Sequence, residues 1–133
     1  MEIKEYQILL DKFKETNIEL YNELKKLYSI SGSLITIYYK ESYLLNGVIN
    51  DNLYDKINSN YIDKKIYNLK NIDKRVFKVV NSVSNHKIFK SKKYSMELKK
   101  FQNIVATSQF LLKELISDYT YFYNDILQIQ KKG

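Results

Sequence analysis

The chain has no cysteine, no proline and no tryptophan, and among its 133 residues only three glycines, one histidine and one arginine. Without cysteine there is neither a disulfide framework nor a thiolate metal site. Without proline, and with so little glycine, the residues that interrupt helices are nearly missing, which favours long unbroken ones. General acid–base chemistry, or a Ser-His pair, would rest on His86 alone, in a polar stretch. Gly32, Gly47 and Gly133 are isolated, so no Gly-rich phosphate loop is formed, and the Glu-x-x-His signature of di-iron bundles does not occur. These absences lead us to expect a protein that is not an enzyme and holds no cofactor or metal. Apolar runs such as Phe110-Leu111-Leu112 fall far short of the roughly 18 residues that span a bilayer, so no transmembrane segment is expected. The charged start Met1-Glu2-Ile3-Lys4-Glu5 does not read as a signal peptide, and the expected location is cytoplasmic.

What the chain has in quantity is lysine, asparagine, isoleucine and tyrosine, with a net charge of +7 and a pI near 9.3. A basic balance invites nucleic acid or a membrane surface as partner. All four residue types have A/T-rich codons, however, and a compositional bias produces them without selection for a basic surface. The one arginine, Arg75, weakens a sequence-specific nucleic-acid role, because Arg supplies the bidentate contacts that Lys cannot. The basic run from Lys87 to Lys100, interleaved with Phe89 and Tyr94, therefore reads as a solvated connection with weak, non-specific binding at most.

The strongest pattern lies near the C-terminus. Leu98, Phe101, Val105, Ser108, Leu112, Leu115, Tyr119, Phe122, Ile126 and Ile129 follow an alternating three–four spacing, a heptad stripe of about five repeats. This predicts one helix over about 95–130, roughly 50 Å long. A second flank of Ile104, Leu111, Ile116, Tyr123 and Leu127 widens the stripe beyond a two-helix seam. Two shorter neighbours are expected to leave part of that width exposed as a partner site or oligomer interface.

A second heptad series runs from Ile3 through Tyr6, Leu10, Phe13, Leu20, Leu24, Leu27, Leu34, Tyr38 and Leu45 to Val48, with Asn17, Ser31 and Glu41 as exceptions. It predicts a helix over about 3–46 with Gly32 as its bend point; the alternative is two helices broken there. Asn46-Gly47 supplies the expected stop, and Asn50 or Asp51 the cap of a helix over about 51–80. Asn58-Ser59-Asn60 is its weak point. A basic connection over 81–94 follows. The expected architecture is thus all-α: a single domain over 1–133, an elongated antiparallel three-helix bundle, coiled-coil-like, with long first and last helices.

Two surface features are ambiguous. Asp11, Glu15, Glu19 and Glu23 form an acidic ridge, read as a solvated face. In the run from Asp118 to Asp125, Tyr119 sits on the seam, Tyr123 at its flank, and Tyr121 points away, as an interface aromatic would.

The long first helix, the break after Tyr43-Leu44-Leu45-Asn46-Gly47, the late basic residue Arg75, and the C-terminal segment Leu98-Lys99-Lys100-Phe101-Gln102-Asn103-Ile104 followed by Phe110-Leu111-Leu112 resemble the FlgN-type flagellar export chaperones. The resemblance implies a small cytoplasmic type III export chaperone without cofactor. Such a protein binds the C-terminal regions of hook–filament junction proteins and delivers them to the export gate. By the same resemblance, client binding falls to the last helix, here Phe101, Ile104, Val105, Leu111, Leu112, Leu115, Ile116, Phe122 and Ile126. Gate docking falls to Tyr119, Tyr121 or Tyr123. The competing readings are a Lys-rich helical nucleic-acid-binding protein and a structural coiled-coil subunit, with homo-oligomer formation open in each.

Overall fold

A computed structural model describes residues 3–90 and 92–132; the side chains of Ile3, which opens the first heptad series, Glu5 and Lys132, together with Met1, Glu2, Ser91 and Gly133, lie outside the described set. The described residues form four helices, α1 (Ile3–Thr16), α2 (Ile18–Asn50), α3 (Ser59–Ser84) and α4 (Ser95–Lys132), with a 3₁₀ turn at Lys87–Lys90 before α4. No strand occurs among the described residues. The bundle is all-α with long helices, as the heptads predict.

The expected first helix over 3–46 is two helices, and the break falls at Asn17 rather than Gly32. Asn17 is extended (φ −155°, ψ 91°), and its side-chain oxygen accepts the Leu20 N–H at 3.1 Å. An Asn that satisfies a free amide of the first turn is a strong N-cap, and Glu19 in that turn complements the helix dipole. Gly32 continues the helix, with open space where a Cβ would stand.

Ring pairs fix the direction of each segment. Tyr6 meets Phe101 edge-on at 5.4 Å and Phe13 meets Tyr94 at 5.2 Å, so α1 runs opposite to the start of α4. Further along, Leu27 shares a cavity with Val105, and Tyr119 bonds Glu41, so α2 runs parallel to α4. The chain therefore reverses at Asn17, and α1 lies back over the first half of α4. α3 runs antiparallel to both, with Lys113 on Asp73 and Gln130 on the Tyr54 and Ile57 carbonyls.

The second junction also differs from expectation. α2 passes through Gly47 and ends three residues later, where Asn52 takes the left-handed conformation (φ 52°). Asn52 N–H donates to the Ile49 carbonyl and Leu53 N–H to the Val48 carbonyl, the paired bonds of a Schellman stop with Asn in place of Gly. Asn58, expected to weaken the helix, caps it by accepting the Asn60 N–H at 2.9 Å. α3 accordingly starts at Ser59, later than 51, and ends at Ser84, later than 80.

The core is two clusters along one axis. Tyr6, Leu10, Phe13, Leu24, Leu27, Phe101 and Val105 form one; Leu34, Leu45, Ile66, Leu112, Leu115, Phe122 and Ile126 belong to the other. Between them sit Ser31 and Ser108, both fully buried. Their hydroxyls donate back along their own helices, Ser31 to the Leu27 and Tyr28 carbonyls and Ser108 to the Ile104 carbonyl. Small residues at one level let α2 and α4, the most extensive helix pair of the fold, approach closely.

Candidate functional site

The α4 seam is core. Phe101, Val105, Leu112, Leu115, Phe122 and Ile126 are buried, and Ile104, Leu111 and Ile116 are half-buried. The expected exposed strip along α4 is not there: α1, folded back at Asn17, covers the first half, and α2 and α3 cover the second. Of the three tyrosines, Tyr119 is buried, Tyr123 is half-buried, and Tyr121 is 69% exposed.

What the fold builds instead lies at the end of the bundle where α2 stops and α3 begins. Glu41, the third exception in the first heptad series, points inward there. Lys65 from α3 places its Nζ 2.8 Å from Glu41 Oε2, and the Tyr119 hydroxyl from α4 donates to the same oxygen at 3.0 Å and to the Glu41 carbonyl at 3.1 Å. One carboxylate thus ties three helices together. Lys65 Nζ also stands 5.2 Å from the Tyr61 ring centroid, within cation–π range.

Burial disfavours the Lys65 charge, but hydrogen bonds to Glu41 and Tyr61 outweigh it and leave its pKa raised. Burial, and then the hydrogen bond to the Glu41 carboxylate, pushes the Tyr119 phenol well above its ordinary value. Both groups hold their protons more tightly folded than unfolded, so above the ordinary values near 10 the folded state binds the extra protons and loses stability as pH rises. Melting temperature is expected to stay level from pH 7 to about 9 and to fall beyond about 10, with a shallower fall in Tyr119→Phe. Melts followed by circular dichroism across that range test this; equal slopes in the two proteins would remove Tyr119 from the account.

Beside this node α2 and α3 lean on α4 more than on each other. The cleft between them encloses about 140 Å³, walled by Leu44, Leu45, Val48, Ile57, Ile62 and Phe122, with Tyr61, Lys65 and Tyr119 along it. The nearby loop is held by Tyr54 against Phe122 at 5.2 Å and by the two Gln130 hydrogen bonds. On the walls of the cleft Leu44 of α2 and Tyr61 of α3 stay exposed to solvent, whereas Tyr39 and Tyr43 are exposed in a separate shallow depression of α2 that shares only Leu44 with the cleft. This arrangement suits apolar and aromatic side chains of a partner. The sequence reasoning missed it, and its only signal was Glu41 as a polar residue at a seam position.

At the opposite end His86 is structural. Its Nδ1 accepts the Ile88 N–H at 3.2 Å, which leaves the proton on Nε2, 3.3 Å from Glu19 Oε1. It ties the α3–α4 connection to the first turn of α2. Among the described residues no group of three or more His, Asp or Glu is placed to hold a metal ion, and no helix is long and apolar enough to cross a membrane. Compared with family models, curated proteins and solved structures, the chain gives no significant match.

Proposed function

We propose that this helical bundle is a non-catalytic, cytoplasmic protein-binding module of the export-chaperone kind, and that it holds its client in the α2–α3 cleft rather than along the α4 seam. The observation that carries this reading is the apolar cleft of about 140 Å³ with Leu44 and Tyr61 exposed on its walls. A pre-formed apolar pocket of this size takes one anchor side chain of an amphipathic client helix, and Leu44 and Tyr61 at its mouth meet the neighbouring residues at i+3 or i+4. The resemblance to FlgN-type chaperones supplies the client class, the C-terminal segment of a hook–filament junction protein. Tyr121, exposed on the outer side of α4, is then the residue for a second contact at the export gate.

Calorimetric titration of a junction-protein C-terminal fragment into the full chain tests the reading. Burying one large apolar side chain is worth about 1.5–3 kcal/mol, so the double variant Leu44→Ala, Tyr61→Ala is expected to bind at least about tenfold more weakly with unchanged helicity. Tyr121→Ala is expected to leave client affinity as it was. No binding by the parent chain removes the client class; binding that the double variant retains removes the cleft.

A further inference from the structure

Compositional bias accounts for how much lysine the chain has but not for where it lies. Between Lys64 and Lys100 there are twelve basic residues and two acidic ones, Asp73 and Glu97, whereas the rest of the chain has ten basic and thirteen acidic. A/T-rich codons raise lysine everywhere and do not separate the signs. The separation maps onto structure. The outward face of α3 carries Lys64, Lys70, Lys74 and Lys78, all exposed, while its opposite face packs into the core through Ile62, Ile66, Leu69 and Val76. The connection to α4 and the first turns of α4 continue the same sign.

The α3 face is not lysine alone. Tyr67, 65% exposed, stands between Lys64 and Lys70 at three-residue spacing, the three sharing a shallow depression of about 410 Å³ with Asp63. Phe77, 60% exposed, stands between Lys74 and Lys78. Lys70, Lys74 and Lys78 follow one another four apart, a spacing at which like charges repel, so the ladder opposes the stability of its own helix. Exposed rings flanked by cations on one helix face fit a chain that offers phosphates and flat bases together. A lipid surface takes up a helix through a broad apolar face, and that of α3 is already buried in the core; an acidic peptide would use the lysines and leave the rings without a stacking partner.

We infer that the outer face of α3 is a single-stranded nucleic-acid site without sequence preference, in which Lys64, Lys70, Lys74 and Lys78 take phosphates and Tyr67 and Phe77 stack on bases. With Arg75 the one arginine of the chain, base-edge readout is not part of the site. The inference is independent of the client cleft, which lies on other residues.

The test is fluorescence anisotropy of a labelled thymidine 20-mer with the full chain. Four phosphate contacts give a single-strand salt slope near −3, so affinity is expected to fall roughly 50-fold between 50 and 200 mM salt. Changing Lys70, Lys74 and Lys78 together to Gln is expected to weaken binding at least tenfold and flatten the slope. Changing Lys12, Lys14 and Lys25 to Gln, which removes the same charge elsewhere, is expected to change affinity less than threefold. Tyr67→Ala with Phe77→Ala is expected to weaken binding while leaving the slope as it was. The inference is overturned if the parent shows no salt-dependent binding at 50 mM, or if the two lysine triples lose affinity equally. Binding to phosphatidylserine vesicles without binding to the oligonucleotide would make the face a membrane contact. Full retention of affinity by the aromatic variant, with polyglutamate competing as well as unlabelled oligonucleotide, would make it an acidic-protein contact.

Discussion

Leu112→Ala is expected to destabilise the folded chain by about 2–5 kcal/mol, the range for deleting a large side chain from a packed core. Leu112 has no exposed surface and belongs to the cluster of Leu34, Leu45, Ile66 and Leu115, contributed by three helices. Truncation loses the transfer free energy of the removed carbons and leaves a cavity, because helices already packed on each other close only partly over it. A domain of this size has about 5–15 kcal/mol in total, so only a loss at the upper end of the range brings the variant to the threshold of unfolding at ambient temperature. Thermal and urea unfolding measure the effect. Phe110→Ala, two residues away and largely exposed, is the matched control, expected within about 0.5 kcal/mol of the parent. If Leu112→Ala melted with the parent, the α4 seam would not be the core, and client binding along it would return as the better reading.

Ser108→Leu is expected to destabilise by about 1–3 kcal/mol, although it would complete the heptad stripe with the residue the pattern favours. Ser108 is fully buried at nearly the same level as Ser31, since Glu41 and Tyr119 set α2 and α4 in register 78 residues apart. A leucine there must push the two helices apart or adopt a strained rotamer, at the interface on which the fold most depends. Ser108→Ala separates packing from polarity. The hydroxyl donates to a carbonyl of its own helix, so its loss leaves no buried donor unpaired, and the change is expected to stay within about 1 kcal/mol. Paired melts of the two variants decide the matter: stabilisation by leucine would mean that the serine layer is slack rather than close-packed.

The parts legible in the sequence are those written in periodicity. Every position of the α4 stripe from Leu98 to Ile126 is buried, and only Ile129, near the end of the helix, is open to solvent. Periodicity misled at Asn17, because the heptad phase passes through a capping residue as easily as through any other exception. The available signal was local: an Asn that precedes an acidic first turn. The same applies at Gly47, where glycine in a helix was weighed above the Asn that takes the left-handed position five residues on. Missing the reversal at Asn17 left α4 with too few neighbours, which is why its seam was expected to stay exposed. The Glu41–Lys65–Tyr119 node was illegible for another reason. Its members come from three helices, and nothing in their separate surroundings announces a shared hydrogen bond.

The parallel setting of α2 and α4 has a consequence for how the chain assembles. In a hairpin of helices the main interface forms between neighbours in sequence, but here it joins residues 78 positions apart, with all of α3 in between. Closing a flexible loop of that length costs about 4 kcal/mol from its length term alone, and only about 0.6 kcal/mol more than closing one of half the length. The long separation is thus a small burden on equilibrium stability. Its weight falls on speed: the densest contacts become available only after a long closure, so this bundle is placed toward the slower side of helical proteins in its folding rate.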